Sequence, residues 1–466
     1  MADAKASERS YGASAKVLSI GIASTGIVTF GYFTVASHAL DGGPGYDRVA
    51  LLWSILFVIV SVIYRPIEQL LSRTIADRRA RGLEGHPLRV PMLIQAGFAA
   101  TFLAVALPLK DSIINGVFSG SETTYWILVG STLAYAASYF ARGWLAGHDR
   151  FGLYGLLVFV ESVARFLFAL AVVVGIADGE NVVALGIFAA PCVSLLVVPA
   201  AFARKNADTP HDPAASIVPA VDAAIEGGPG AEAAEEAAGD LSLRRGAGFA
   251  AAVFGVMLAE QALLNGAVIA VAATAAGTVA AGLVFNALLI ARAPLQLFQA
   301  IQTSLLPHLA GLEATGGHEA FKRAIAKTIG AIAIFTAAVA VMFLAAGPWI
   351  MSVLFAGGHG AYDRIGLAVV AIGMGFHLAA GTLNQAALAR GHAKLAAFAW
   401  LLAAALFIAW CAASVMPDPV HRAEAGYAGG TLILVVLLTA VYRRPREESA
   451  PLSTDQLAPA AAAIAE

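Results

Sequence analysis

Residues 49–71 read VALLWSILFVIVSVIYRPIEQLL, an apolar run without a charge until Arg65. Its length of about 20 residues is what a helix rising about 1.5 Å per residue needs to cross a hydrocarbon core of about 30 Å. Blocks of this kind recur along the whole chain. They run approximately Ala15 to Ser37, Val49 to Leu71, Val90 to Leu107, Tyr125 to Trp144, Gly152 to Ile176 and Val182 to Ala203, then Gly246 to Ala272, Val279 to Thr303, Lys327 to Ala346, Ile365 to Ala389, Leu395 to Val415 and Gly426 to Tyr442. The expected fold is therefore an all-α polytopic membrane protein with about twelve transmembrane helices. Between the two sets lies Arg204 to Arg245, rich in Ala, Pro, Gly and Glu and without apolar periodicity, which predicts a disordered cytoplasmic linker. The domain plan is a six-helix bundle over residues 1–203, the linker over 204–245, a second bundle over 246–446 and a disordered tail over 447–466.

Composition agrees with the bilayer as solvent. Hydrophobic residues make up 59% of the chain and charged ones 13%, with a mean hydropathy of +0.77, whereas a soluble domain carries roughly 25% charged residues. A net charge of -2, with the basic residues spread over short loops, gives no sign of a nucleic-acid partner. The only cysteines, Cys192 and Cys411, sit inside apolar blocks and read as packing residues rather than a disulfide or metal pair. Met1 to Lys16 is short and weakly basic, but the apolar run behind it is too long for a signal-peptide core, so it is expected to stay as the first span. There is no phosphate-cradling Gly-rich loop before a Lys-Ser or Lys-Thr pair, no paired metal ligands and no nucleophile motif, so neither catalysis nor a cofactor is expected.

Basic residues are retained on the cytoplasmic side of a membrane protein. Counting Lys and Arg in alternate loops gives 21 against 4, the sparse set being Arg48, Lys110, Arg364 and Arg422. With an even number of spans, both termini are predicted to be cytoplasmic. The halves also echo one another. Gly147-His148-Asp149-Arg150 is matched by Gly391-His392-Ala393-Lys394, and Arg65-Pro66-Ile67-Glu68-Gln69 by Arg292-Ala293-Pro294-Leu295-Gln296, at offsets of 244 and 227. A duplication of six spans gives both units the same orientation, hence a pseudo-twofold axis along the membrane normal with a substrate path between the halves.

Several polar residues fall inside spans. Arg292 lies about thirteen residues from the outer face, where a bare arginine costs roughly 2.5 to 3.5 kcal/mol, so it should face a cavity or a partner. Gln296, Gln299 and Thr303 continue its helical face, and Arg65, Gln69 and Ser72 repeat the start of that stripe. Planar guanidinium forks beside amides suit a phosphate or pyrophosphate, while snorkelling to the headgroups is the bland alternative for both arginines. Glu161 and Arg165 have the spacing of a helical ion pair. Glu260, followed by Gln261 and Asn265, has no basic neighbour on its own helix and is either a coupling-proton site or a hydrogen-bonded packing carboxyl. His377 is expected to bond a neighbouring helix, and Arg142 to snorkel. Pro66, Pro191 and Pro294 each favour a kink.

The stretch Lys16 to Gly82 has a first span rich in Gly, Ser and Thr, a loop ending Gly45-Tyr46, and Tyr64-Arg65-Pro66-Ile67-Glu68-Gln69 leading into a basic turn. It resembles the polysaccharide transporters, the O-antigen-type flippases of the multidrug/oligosaccharidyl-lipid/polysaccharide exporter superfamily, and the twelve-span plan extends the resemblance over both halves. The resemblance implies a V-shaped pair of bundles in a bacterial plasma membrane, alternately open to each side. Its cargo would be a polyprenyl-pyrophosphate-linked oligosaccharide moved to the outer leaflet, with Arg65 and Arg292 in the cationic lumen role. The implied partners are that lipid-linked oligosaccharide, membrane lipids, and glycosyltransferases or a polysaccharide polymerase. Drug-extruding members are the neighbouring alternative, disfavoured by the lack of a carboxylate in the first span. A scaffold recruiting glycosyltransferases would have no use for Arg292.

Overall fold

A computed structural model describes residues 24–80, 88–148, 150–203, 241–274, 280–290, 295, 317–356, 362–390, 392–413 and 415–444. Among these residues all regular structure is helical, as apolar segments in lipid require when no water is at hand to satisfy the backbone. The first half contains α1 (24–39), α2 (Pro44–Ala80), α3 (Arg89–Ala106), the short α4 (Lys110–Gly116), α5 (Glu122–Gly147), α6 (Phe151–Val173), α7 (Glu180–Ser194) and α8 (Val198–Ala203). The second contains α9 (Leu241–Thr274), α10 (Ala280–Ile290), α11 (Gly317–Leu354), α12 (Arg364–Ala389), α13 (Ala393–Ala412) and α14 (Pro419–Tyr442). Where the residues of the expected spans are described, they are largely helical, although only residues 24–37 of the first and 280–290 and 295 of the eighth are described. Among the described residues, 8 helices are long and apolar enough to cross a membrane, or 9 if α3 and α4, bent by 68° across their junction, form one span.

Helix starts at the predicted outer end are set by short polar caps. Ser121 accepts the Thr124 amide, Asp363 accepts that of Gly366, and Asp418 accepts that of Val420 with Pro419 filling the first helical position. Four features depart from expectation. The final span begins at Pro419, seven residues ahead of Gly426, because Asp418 caps it there. The helix α9 starts at Leu241, inside the stretch expected to be linker, while residues 204–240 lie outside the described part. Pro66 leaves α2 a single helix, whereas beyond Pro191 the chain tightens into a 3-10 turn at Leu195–Val197. Cys411 is buried as expected, but Cys192 is exposed on the helix surface rather than packed.

Packing follows the same plan twice. In the first half α5 and α6 both pack on α7, and in the second α12 and α13 both pack on α14, the fourth and fifth spans against the sixth in each case. The halves meet where α2 lies along α9. Small residues allow this closeness in several places: Gly143 and Gly147 of α5 rest on the α2 backbone, and Gly373 of α12 on Ala428 of α14.

Candidate functional site

The hydrogen bonds and ring contacts that join the halves among the described residues gather at the predicted outer end. Tyr46 at the start of α2 donates to the Asn286 side chain of α10, and the Asp47 carboxylate accepts the Gly282 amide in the first turn of α10. A negative side chain of one half thus caps a helix of the other. Ser37 reaches the Ala356 carbonyl at 3.4 Å, and Phe33 meets Phe285 edge-on at 4.6 Å. Beside this seal, Arg48 grips Glu180 with a two-pronged bond that ties the start of α2 to the start of α7.

Further toward the predicted cytoplasmic end, the seam carries charge. Arg65 of α2 interacts electrostatically with Glu260 of α9 across it, and with Glu68, Tyr139 and Tyr154 on its own side. Tyr154 donates to Glu68 at 2.8 Å. Arg142 stacks its guanidinium 4.4 Å from the Tyr139 ring and bonds Glu161 at 2.5 Å, while Ser138 donates to the same Glu161 oxygen at 3.1 Å. Charges of alternating sign therefore lead from inside the first half to the face of the second.

These contacts correct two expectations. Glu161 does not pair with Arg165 four residues along its own helix. Its partner is Arg142 of α5, which is buried and does not snorkel, because α5 packs close enough to bring the guanidinium to the carboxylate. Arg165 instead donates to Tyr135 and Thr29, each at 3.2 Å, and lies 4.3 Å over the Trp53 ring. Hydroxyls and an aromatic face supply the partners that a buried cation requires. No carboxylate lies within ion-pair distance of Arg165 among the described residues.

Glu260, about a quarter exposed, has its Oε1 4.0 Å from His377 Nε2. The other ring nitrogen of His377 faces the Tyr427 hydroxyl of α14 at 3.3 Å, and Trp400 lies edge-on to the ring while donating to Asn384 at 3.0 Å. Asn265 donates to Gln261 at 3.1 Å one turn away. Gln69 sits half-buried one turn beyond Arg65. Arg292, Gln296, Gln299 and Thr303 lie outside the described residues. Around the seam the described charges balance, three guanidiniums (Arg65, Arg142, Arg165) against three carboxylates (Glu68, Glu161, Glu260). Sequence reading passed over Glu68, although it stands in the Arg65 motif, and over Asp47, which it left in the loop. Tyr139 and Tyr154 carried no signal beyond their apolar context, and Tyr46 entered only through the Gly45-Tyr46 pair that ends the first loop.

No protein-family model matches the chain, and no curated protein matches it in sequence. Its fold is shared with solved structures. An inward-facing multidrug resistance MATE family transporter of the MOP superfamily is 12% identical with a TM-score of 0.62, over 90% of this chain and 93% of its own. An outward-facing MATE transporter is 14% identical, with a TM-score of 0.57 over 92% of this chain and 96% of its own. A MOP superfamily transporter from Pyrococcus furiosus, in which a reversed polarity of the binding pocket suggests a different function, is 14% identical with a TM-score of 0.60 over 92% and 94%. The likeness establishes the fold: an all-helical membrane protein of two bundles.

Proposed function

We propose that the protein is an alternating-access exporter, and that its cargo is a polyprenyl-pyrophosphate-linked oligosaccharide destined for the outer leaflet of a bacterial plasma membrane. The observation that carries the transport reading is the asymmetry of the seam. Its outer end is sealed by Tyr46–Asn286 and Asp47–Gly282, while titratable groups face each other across it further in, at Arg65 and Glu260. A seam closed by hydrogen bonds at one end and carrying charge further in suits a carrier poised toward the cytoplasm. Solved structures with this fold have been captured both inward- and outward-facing.

The cargo reading rests on the arginine forks. The described charges near Arg65 balance, so a pyrophosphate there needs a further cation, and the guanidinium that the sequence offers for it is Arg292, in the segment that echoes the Arg65 motif. Export of an anion from a negative interior gains about 2.3 kcal/mol per charge per 100 mV, which favours the outward direction without an ATP site. In the Pyrococcus furiosus structure a reversed pocket polarity suggests a different function, which is in keeping with a cargo chosen by the charge of the site. Arg292→Ala should make lipid-linked oligosaccharide accumulate in the inner leaflet at normal protein abundance, with an affinity defect of about ten- to a hundredfold, and lysine should rescue only in part. Full export by an abundant Arg292→Ala protein would remove the flippase reading. A second reading, cation-coupled drug export, is favoured by Glu260 beside His377, and would show as lost dye resistance with unchanged glycolipid.

A further inference from the structure

A second polar cluster lies away from the central seam, at the predicted outer end of the second half. Asp363 caps α12 and Asp418 caps α14. His421 stands between the two caps, with Nε2 2.5 Å from Asp363 and Nδ1 2.7 Å from Asp418. A ring that donates at both nitrogens is an imidazolium. One turn deeper on α14, Glu424 is only 2% exposed, and neither of its carboxyl oxygens meets a hydrogen-bond donor. Its head presses on Gly366 of α12, where there is no room even for a Cβ.

An ionised carboxylate in that place would hold a desolvated charge without a donor, a state costly enough that the group takes up a proton instead. The charged surroundings favour the same outcome. Asp363 and Asp418 repel an ionised Glu424, and among the described residues His421 is the one cation acting on it, while the Tyr362 hydroxyl of the outer loop donates to the Leu283 carbonyl at 3.3 Å. Arg422, two residues earlier, turns instead toward α13, where it acts on Cys411 and its carbonyl accepts the Trp410 ring N–H at 2.9 Å. The surfaces of α9 and α13 that meet α14 nearby are apolar or aromatic, at Leu263, Phe407 and Trp410. Among the described residues no group of three or more ligands suited to a metal ion exists.

We propose that Glu424 is a proton-binding site loaded from the outer face past His421, and that close packing of α14 on α12 requires its proton. Deprotonation places a bare charge against the Gly366 backbone and pushes the two helices apart. Because glutamine keeps the shape of the acid and cannot titrate, Glu424→Gln isolates the proton. In full-length protein in lipid nanodiscs, the infrared difference between wild type and Glu424→Gln should contain a protonated-carboxyl C=O band at neutral pH. That band should vanish on alkaline titration and stay unchanged when choline replaces sodium. A carboxylate signature at neutral pH, or a band that follows sodium, overturns the proposal. Thermal unfolding gives an independent measure. As pH rises from neutral into the alkaline range the wild type should lose stability, since the native state binds the extra proton. The Glu424→Gln curve should be shallower than the wild type over that range, keeping only what the doubly held His421 contributes, and His421→Asn, which removes the ring but not the acid, should keep the part that Glu424 contributes. A slope that survives Glu424→Gln in full but disappears in His421→Asn assigns the titration to the histidine and overturns the proposal.

Discussion

Arg142 of α5 and Glu161 of α6 form an ion pair at 2.5 Å with both side chains almost wholly buried, and this pair rather than Glu161 with Arg165 neutralises the interior of the first half. Breaking a buried pair by removing one partner strands the other charge and costs about 3 to 5 kcal/mol, whereas removing both costs much less. A double-mutant cycle of Arg142→Gln with Glu161→Gln should therefore show strong coupling in thermal unfolding. The cycle of Arg165→Gln with Glu161→Gln should be near additive. Equal coupling in the two cycles would contradict the assignment.

The same pair shows where sequence reading reaches its limit. The spacing of Glu161 and Arg165 is a fact about one helix, and it permits a contact without choosing it. Which cation arrives depends on how close α5 lies to α6, and that distance is set by packing between helices. The spans themselves were legible because the bilayer imposes length and apolarity on each segment separately. Glu424 was missed for a boundary reason: the last apolar block appeared to begin at Gly426, yet the Asp418 cap starts the helix at Pro419 and carries the carboxyl inside. Asp47 was missed likewise, since α2 begins at Pro44 and not at Val49. Facing of Arg65 and Glu260 across the seam could not be read from either helix alone.

Gly282 allows the outer seal, because any Cβ there would overlap the Asp47 carboxylate. Gly282→Ala should hold the outer end open. Cysteines introduced by Ser37→Cys and Ala356→Cys, at positions joined by a 3.4 Å hydrogen bond in the sealed state, should form a disulfide readily in the parent protein and several-fold more slowly with Gly282→Ala. An unchanged cross-linking rate would show that Asp47 and Gly282 do not control the seal.

Asp363 gives an acid-side signature. Burial raises its carboxyl, but the Gly366 amide and His421 outweigh burial and hold it below the ordinary aspartate range. A depressed native value stabilises the fold fully above about pH 4, the unfolded value, and the gain is lost as pH falls through the native one. Asp363→Asn should remove this acid-side loss. It should lower stability at neutral pH by no more than about 1 kcal/mol, since asparagine can still cap the helix. Unfolding midpoints from about pH 3 to about pH 7 measure both effects.

Glu260 is the carboxylate whose substitution says most about energy coupling. Among the described residues it is the one acidic group of the second half that acts on Arg65 of the first, and His377 stands 4.0 Å behind it. If Glu260 exchanges a proton during the cycle, charge on it pulls Arg65 toward the second half and its neutral form releases that pull, so the two halves feel its protonation directly. Glu260→Gln keeps the shape and hydrogen bonding of the acid in one fixed charge state. Transport by that variant should continue at a reduced rate and lose its dependence on pH, while the protein remains folded and abundant. Arg65→Gln should slow transport without flattening the pH profile, because the titrating group is still in place. A Glu260→Gln protein whose transport follows pH as the parent does would assign Glu260 to packing and move the coupling step elsewhere.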